Sequence, residues 1–353
     1  MAIDNDKLMD FLHRFVGDLG AALAAGNVVI GNRLGLFAAL ATGPATPVEL
    51  AERTDTDTRY VTEWLRGQAS GGYVTRTETG GEETYSLTEE QAFCLADPDN
   101  AIFAPGGFLF ALGALKGEER VAQAIRTGTG IGWHEGDEDM LVGCEQFFRP
   151  GYHANLTTSW IPALSGVERR LQDGARVADI GCGLGASSVI MAQAYPASRI
   201  AGSDYDSGSI ERARKRAADA GVAERVTFEA ASAQTFGGSG YDLVTSFDCL
   251  HDMGDPLSAA RHVREALAPD GSWLIVEPFA QDDPSDNINP VGRVYYNFST
   301  LVCLPNAKSQ PGGYALGAQA GEAAIRRVVT DAGFTRFARV AETPFNLVYE
   351  ARP

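Results

Sequence analysis

The sequence predicts an α/β protein: a Rossmann-like, doubly wound sheet with a terminal antiparallel hairpin, preceded by an all-α, winged-helix domain. Three observations carry that prediction. From Arg176 onward, short β-rich runs alternate with helical ones. A glycine loop, Val177-Ala-Asp-Ile-Gly-Cys-Gly-Leu-Gly185, ends one strand and opens a helix. Two late strand-like runs, Phe334–Val340 and Phe345–Glu350, are joined only by Ala341–Pro344, too short a link for anything but an antiparallel pair.

The elements follow in chain order. Residues 1–25 repeat apolar positions at helical spacing (Leu8, Phe11, Leu12, Phe15, Leu19), which predicts an amphipathic helix. Asn32–Leu40 is helical and stops before Gly43-Pro44. Thr46-Pro47-Val48-Glu49 combines an N-cap, a first-turn proline and a third-position acid, a strong helix start. Arg59–Gly71 follows with Tyr60, Trp64 and Leu65 on one face, and Tyr73–Thr77 and Thr84–Leu87 flank Gly80-Gly81 as a β-wing. Residues 89–170 are helical and aromatic-rich, broken at Pro105-Gly106-Gly107. The sheet strands are Arg176–Ile180, Arg199–Ser203, Val226–Ala230, Tyr241–Phe247 and Ser272–Glu277. Helices at Ala186–Ala194 and Ser209–Ala220, and one opened by Asp255-Pro256, lie between them. An irregular excursion, Pro278–Gly317, precedes a last helix, Gln319–Ala332. Domain boundaries are expected at 1–90, 91–170 and 171–353.

Composition narrows the function. The chain has 353 residues, 44% hydrophobic and 21% charged, with a net charge of −17. That is enough apolar side chain for a sizeable core, and a surface this acidic repels phosphate backbones and anionic lipid. Five scattered cysteines without a CxxC pair argue against disulfides or structural zinc and for a reducing, cytoplasmic setting. The N-terminus is acidic where a signal peptide would be basic, and the longest uncharged run, Ile180–Ser198, holds three glycines and a proline, so no membrane role is expected. Only four of 29 basic residues are lysine, which points to a bacterial source. The winged helix, weighed as a DNA reader, carries five basic and ten acidic residues over 27–90 and lacks the positive footprint phosphate binding needs. Dimer packing is the expected use.

The glycine loop is the sharpest chemical signal. Its glycines let the backbone turn tightly against a ligand that a Cβ would exclude. Asp204, ending the next strand, can accept both hydroxyls of a ribose. Spacing alone also fits a dinucleotide fingerprint, Gly181, Gly183 and Ala186 spelling GxGxxA. Asp179 would sit badly beside a pyrophosphate, but it suits an ammonium group.

With Asp179, Asp204 and the closing hairpin, the loop resembles the first motif of class I S-adenosylmethionine-dependent methyltransferases. The likeness extends over about residues 26–353 to winged-helix members: actinobacterial methyltransferases of this two-domain type and plant-type small-molecule O-methyltransferases. It implies S-adenosylmethionine as cofactor and S-adenosylhomocysteine as product. By the same resemblance, Asp179 lies near the cofactor's ammonium, with Gly181 and Gly183 under its methionine and ribose. Asp204 holds the ribose, Tyr205 lies against the adenine, and Ser232 and Ala233 flank it. Phe247 and Asp248 stand beside the methionine moiety.

Downstream, Asp248-Cys-Leu-His-Asp-Met-Gly-Asp255 resembles the His-Asp-Trp-x-Asp segment of the plant-type enzymes. That implies His251 as the base for an acceptor hydroxyl, flanked by Asp252 and by Glu277. The need is real, because a phenol of pKa ~10 is un-ionised at neutral pH. Met253 stands where that family has Trp, and the family's later second acid is not identified in this sequence. Asp252 with Asp255 could suggest a metal pair, but Asp255 reads better as a helix cap, so no metal is expected. Aromatic side chains before the sheet (Trp133, Phe147, Phe148, Tyr152) and in the excursion (Tyr295, Tyr296, Phe298) would suit an aromatic or lipid-like acceptor. The expectation is a homodimeric O-methyltransferase of a small molecule, pairing through its N-terminal domain. The rival is a winged-helix regulator that senses S-adenosylmethionine.

Overall fold

The structure, a computed structural model, describes residues 3–353. Its contacts divide the chain into two units, 1–113 with 138–150 and 114–137 with 151–353. The helical region after the wing is thus shared between them.

In the first unit, one helix runs from Asn5 to Arg33, well past the predicted end, and stops where Gly35 takes a left-handed turn before Leu36–Ala41. It is long and apolar enough to cross a membrane by length and composition alone. Pro47–Thr54 starts as the sequence predicts, with the Thr46–Glu49 capping box formed. Thr58–Ser70 is capped by Asp57. Its Trp64 packs edge-on against Phe37 at 5.0 Å and donates its indole N–H to Asn27 O, pinning this helix to the first. The wing is an antiparallel pair, β1 (Thr75–Thr79) and β2 (Glu82–Ser86), tied to the helices by a bridge between Ala45 and Tyr85.

The expected break at Pro105-Gly106-Gly107 is absent. These residues open a continuous helix, Ala104–Leu115. Proline is harmless in a first turn, where its N–H has no partner to lose. The glycines serve close packing: a Cβ on Gly113 would stand 2.1 Å from Met140 N, and one on Gly143 would stand 2.2 Å from Phe110 N.

The second unit is built on a seven-stranded sheet. Its strands are β3 (Arg176–Ile180), β4 (Arg199–Asp204), β5 (Val226–Ala230), β6 (Tyr241–Phe247), β7 (Leu267–Pro278), β8 (Arg336–Glu342) and β9 (Asn346–Arg352), in the order β5-β4-β3-β6-β7-β9-β8. The first five are parallel, and β9 inserts antiparallel between β7 and β8. Both faces are covered. Val177, Leu243, Leu274 and Val276 pack into one core, while Ala178, Val244, Trp273 and Ile275 pack into the other. Strands buried on two faces read as continuous apolar runs, which is why they were visible in the sequence.

The excursion after β7 is not irregular. It folds into Pro290–Phe298, a wide π turn at Ser299–Cys303, and Leu304–Ser309. Short helices of mixed composition, two of them led by proline, leave too little periodicity to reveal them.

Candidate functional site

The order of the sheet reverses at β3, where β4 lies on one side and β6 on the other, and ligands of such sheets bind outside the carboxyl ends at that point. Gly181 and Gly183 both adopt positive φ, +65° and +50°. A Cβ on Gly181 would meet Cys249 Sγ at 2.7 Å, so this glycine lets the loop lie on the segment after β6. Nothing stands within 4 Å of a Cβ at Gly183, leaving that side open to a ligand.

Asp204 closes the loop from β4. One carboxylate oxygen accepts the Gly183 N–H at 3.0 Å and the other accepts the Asp206 N–H at 2.9 Å. Burial pushes its pKa up to about 6, against these two donors. A carboxylate has about four acceptor sites, so this one has capacity left for a diol. The open glycine and the under-used carboxylate fit the adenosyl end of S-adenosylmethionine.

Asp179 behaves differently from the expectation. It is fully buried, with one oxygen accepting the Ser187 and Ser188 hydroxyls and the other the Thr245 hydroxyl at 2.9 Å. Burial raises its pKa and the hydroxyls partly offset this. With no exposed surface and both oxygens engaged, it braces the loop against the helix Ala186–Ala194 and β6 rather than meeting an ammonium directly. Phe247 is also a core residue, buried between Trp160, stacked at 6.3 Å, and Tyr152 at 5.2 Å. Ser232 keeps its hydroxyl on Thr235, beside a backbone tie from Ala231 N–H to Asp204 O; Ala233 is half-buried against the second core. Tyr205 leaves its ring partly exposed, but its hydroxyl is taken: it accepts the Trp133 N–H at 2.9 Å and donates to Asn306 Oδ1 at 2.6 Å.

On the other side of the switch point stands a cluster of titratable groups, His251 and Glu277 buried and Asp248 and Asp252 half-buried. His251 is 3% exposed, and its Nδ1 lies 2.6 Å from Glu277 Oε2; the second Glu277 oxygen accepts the Leu250 N–H at 2.9 Å. Burial works against the imidazolium, yet Glu277 and the Cys303 thiol beside the ring outweigh it and raise the proton affinity well above that of an ordinary histidine. Asp248 sits at the end of β6 with a left-handed backbone, φ +50°, a conformation that costs energy in any residue but glycine. It accepts from Tyr152 Oη at 3.1 Å and Asn346 Nδ2 at 2.9 Å, and burial, then the nearby Glu277, push its pKa up to about 8. Asp252 is pushed up to about 7, again chiefly by burial, and accepts from Asn306 Nδ2 at 3.0 Å. Asp255 is the helix cap, accepting the Ser258 N–H. Among the described residues no group of three or more His, Cys, Asp and Glu is placed to hold a metal ion.

The aromatic residues divide. Tyr152 reaches Asp248, Trp133 is half-buried near Tyr205, and Tyr296 is half-buried. Tyr295 is a core residue, 2% exposed, whose hydroxyl is spent on Phe345 O. Phe148 lies in the first unit, edge-on to Phe147 at 5.0 Å. Sequence reasoning missed Asn306, Gln310, Cys303 and Asn346; only the tertiary fold brings these isolated polar residues to the site.

The profile of a family described as methyltransferase domain matches residues 171–310, and that of the Rv2258c-like winged HTH domain matches 21–97. Residues 171–310 thus form a class I S-adenosylmethionine-dependent methyltransferase domain, preceded by a winged-HTH domain. Among curated relatives, the 27-O-demethylrifamycin SV methyltransferase of Amycolatopsis mediterranei is 30% identical over 35% of this chain and 48% of its own. A ubiquinone biosynthesis O-methyltransferase of Bordetella avium is 32% identical over 43% and 61%. The chain thus spans about half the length of the curated relatives it matches. Similar solved structures cover nearly the whole methyltransferase chain. Human N-acetylserotonin methyltransferase, solved with S-adenosylmethionine, has a TM-score of 0.71 at 17% identity over 100% of this chain and 99% of that one. The mitomycin 7-O-methyltransferase MmcR has a TM-score of 0.62 at 19% identity over 99% and 100%. At such identities the likeness is one of fold.

Proposed function

We propose that this methyltransferase transfers a methyl group from S-adenosylmethionine to a hydroxyl of a small molecule, with His251 as general base. The observation that carries the reading is the buried His251–Glu277 pair at the carboxyl ends of the strands. Bound S-adenosylmethionine supplies an electrophilic methyl on a positively charged sulfur. Gly183 and Asp204 would hold its ribose, with the Tyr205 ring beside the adenine. Glu277 accepts the Nδ1 proton and fixes the tautomer, so Nε2 is the atom that takes the acceptor's proton. The raised proton affinity suits that task once His251 is deprotonated. Activity therefore rises with pH through the elevated His251 pKa.

Asp252 and Asp248 would shape the charge around this pair. Tyr152, Trp133 and Tyr296 offer apolar faces to an aromatic or lipid-like acceptor. Oxygen is favoured as the acceptor atom because a hydroxyl needs a base, and the names of the rifamycin- and ubiquinone-related enzymes point the same way. We also propose a cytoplasmic homodimer. On the helix Asn5–Arg33, Met9, Leu12, Val16, Leu19 and Leu23 recur at alternating three- and four-residue steps, Ile30 follows seven residues on, and all are exposed. This is the seam spacing of paired helices.

The test pairs binding with turnover. S-adenosylmethionine should bind wild type and His251→Ala alike in calorimetry, while His251→Ala loses turnover on a panel of phenolic acceptors. Retained turnover with an unchanged pH profile would remove the base role.

A further inference from the structure

Asn306 lies in Leu304–Ser309, in the excursion after β7, and is 4% exposed. Its amide is used at both ends. The carbonyl accepts the Tyr205 hydroxyl at 2.6 Å, and the NH2 donates to Asp252 Oδ2 at 3.0 Å. Tyr205 directly follows Asp204, and Asp252 directly follows His251. The Tyr205 hydroxyl in turn accepts the Trp133 N–H. All three links run with one polarity, from Trp133 through Tyr205 and Asn306 to Asp252, an arrangement in which each bond polarises the next.

The same excursion grips the His251 segment by its backbone. Gln310 Nε2 donates to Asp252 O at 3.1 Å and the Gly317 N–H donates to His251 O at 3.0 Å. The Tyr314 N–H donates to Gly254 O at 2.9 Å, and Ile131 N–H holds Pro305 O. Residues 304–317 therefore have two moorings, Tyr205 beside the loop expected to hold the cofactor and the backbone that carries His251. Asn306 is the side chain that joins them.

We infer that Asn306 is a positioning residue that couples occupation of the cofactor site to the placement of His251, so that cofactor binding orders the acceptor side first. The inference rests on the proposal that Asp204 and the glycine loop bind S-adenosylmethionine. A ligand seated against Asp204 and the Tyr205 ring fixes the hydroxyl that anchors Asn306, and Asn306 then fixes Asp252. By linkage the coupling is reciprocal: whatever cofactor does for order at residues 304–317, order there returns to cofactor affinity.

The experiment is hydrogen–deuterium exchange of the full chain with and without S-adenosylmethionine, with calorimetry on the same samples. In wild type, cofactor slows amide exchange across 250–254 and 304–317 by about fivefold or more, the lower end of ordinary coupling. Tyr205→Phe keeps the ring and deletes only the hydroxyl. It should still bind S-adenosylmethionine in calorimetry yet lose most of that protection. Asn306→Asp, which keeps shape but sets a second carboxylate against Asp252, should do the same, with kcat falling more than the cofactor KM rises. Equal protection in wild type and both variants, or none in a wild type that binds cofactor, overturns the coupling. Failure of wild type to bind S-adenosylmethionine at all overturns the cofactor reading and the coupling with it.

Discussion

Acidic side chains behave in opposite ways in the two units. In the winged-helix unit, Glu83 is gripped by Arg66 and Arg76 and by the Tyr85 hydroxyl, and its pKa is pulled down to about 2, with the hydrogen bond from Arg76 the main cause. Around the carboxyl ends of β4 and β6, Asp204, Asp252 and Asp248 are pushed up to about 6, 7 and 8 by burial, and they are held by backbone N–H groups, a tyrosine hydroxyl and two asparagine amides. The first arrangement is a charge pattern finished within the protein. The second is unfinished: half-buried carboxylates with spare acceptor capacity, two of them beside a histidine, the pattern expected where chemistry is done. Charge at Glu83 is thus satisfied within the winged-helix unit, whereas the strand ends leave acceptor sites open.

The sharpest way to break that contrast is His251→Ala, expected to lower kcat by about 10²–10⁴-fold, the usual contribution of a positioned base. The wild-type rate should climb as pH rises through the elevated His251 pKa, and the variant's residual rate should not. Next comes Asp204→Ala, expected to weaken S-adenosylmethionine binding by about 100-fold in calorimetry, since hydrogen bonds to a charged group are each worth about 1.5–3 kcal/mol.

A third test uses linkage. Asp248 binds its proton more tightly folded, at about 8, than unfolded, where a free aspartate titrates near 3.8, so folding stability falls as pH rises between those values. Asp248→Asn abolishes that slope. At pH 8 without ligand it should melt higher than wild type, by about 2–4 °C for each kcal/mol recovered in a unit of this size. Leu19→Glu, in the exposed seam of the first helix, should leave cofactor binding intact and convert a dimer to a monomer in sedimentation. A species that stays monomeric in wild type, or partitions with lipid vesicles, would reassign that helix. The smallest effect is expected for Glu83→Gln, which should leave the melting temperature close to wild type because solvent-screened ion pairs contribute little, with no gel shift on duplex DNA at low salt before or after.

Much of this was legible in the chain. The capping box at Thr46, the glycine loop, the apolar strand runs and the Asp255 cap are local devices, and the sequence carries them in adjacent residues. The pairing of His251 with Glu277 was readable only through resemblance, because 26 positions separate them and the sheet alone makes them neighbours. Asp179 and Phe247 show the limit. Their positions beside the loop were inferable, but the partners that turn each inward, three hydroxyls for one and two rings for the other, come from other elements of the fold. Asn306 carries no local sign at all, because a lone buried amide acquires meaning only from the two distant segments it joins.

Asn346 has a consequence for time rather than space. It opens β9, the strand that pairs with β7, and it supplies a donor to Asp248. On the ribosome every other part of the sheet precedes it. Until β9 emerges, the flank of β7 that it will cover has no partner, and Asp248 lacks one of its two side-chain donors. At 5–20 residues per second that interval lasts roughly 4–15 s, during which the nascent chain presents an apolar strand edge of the kind that seeds aggregation. Slow codons between β7 and β9 would lengthen that exposure, so the yield of soluble protein should depend on translation speed there more than upstream.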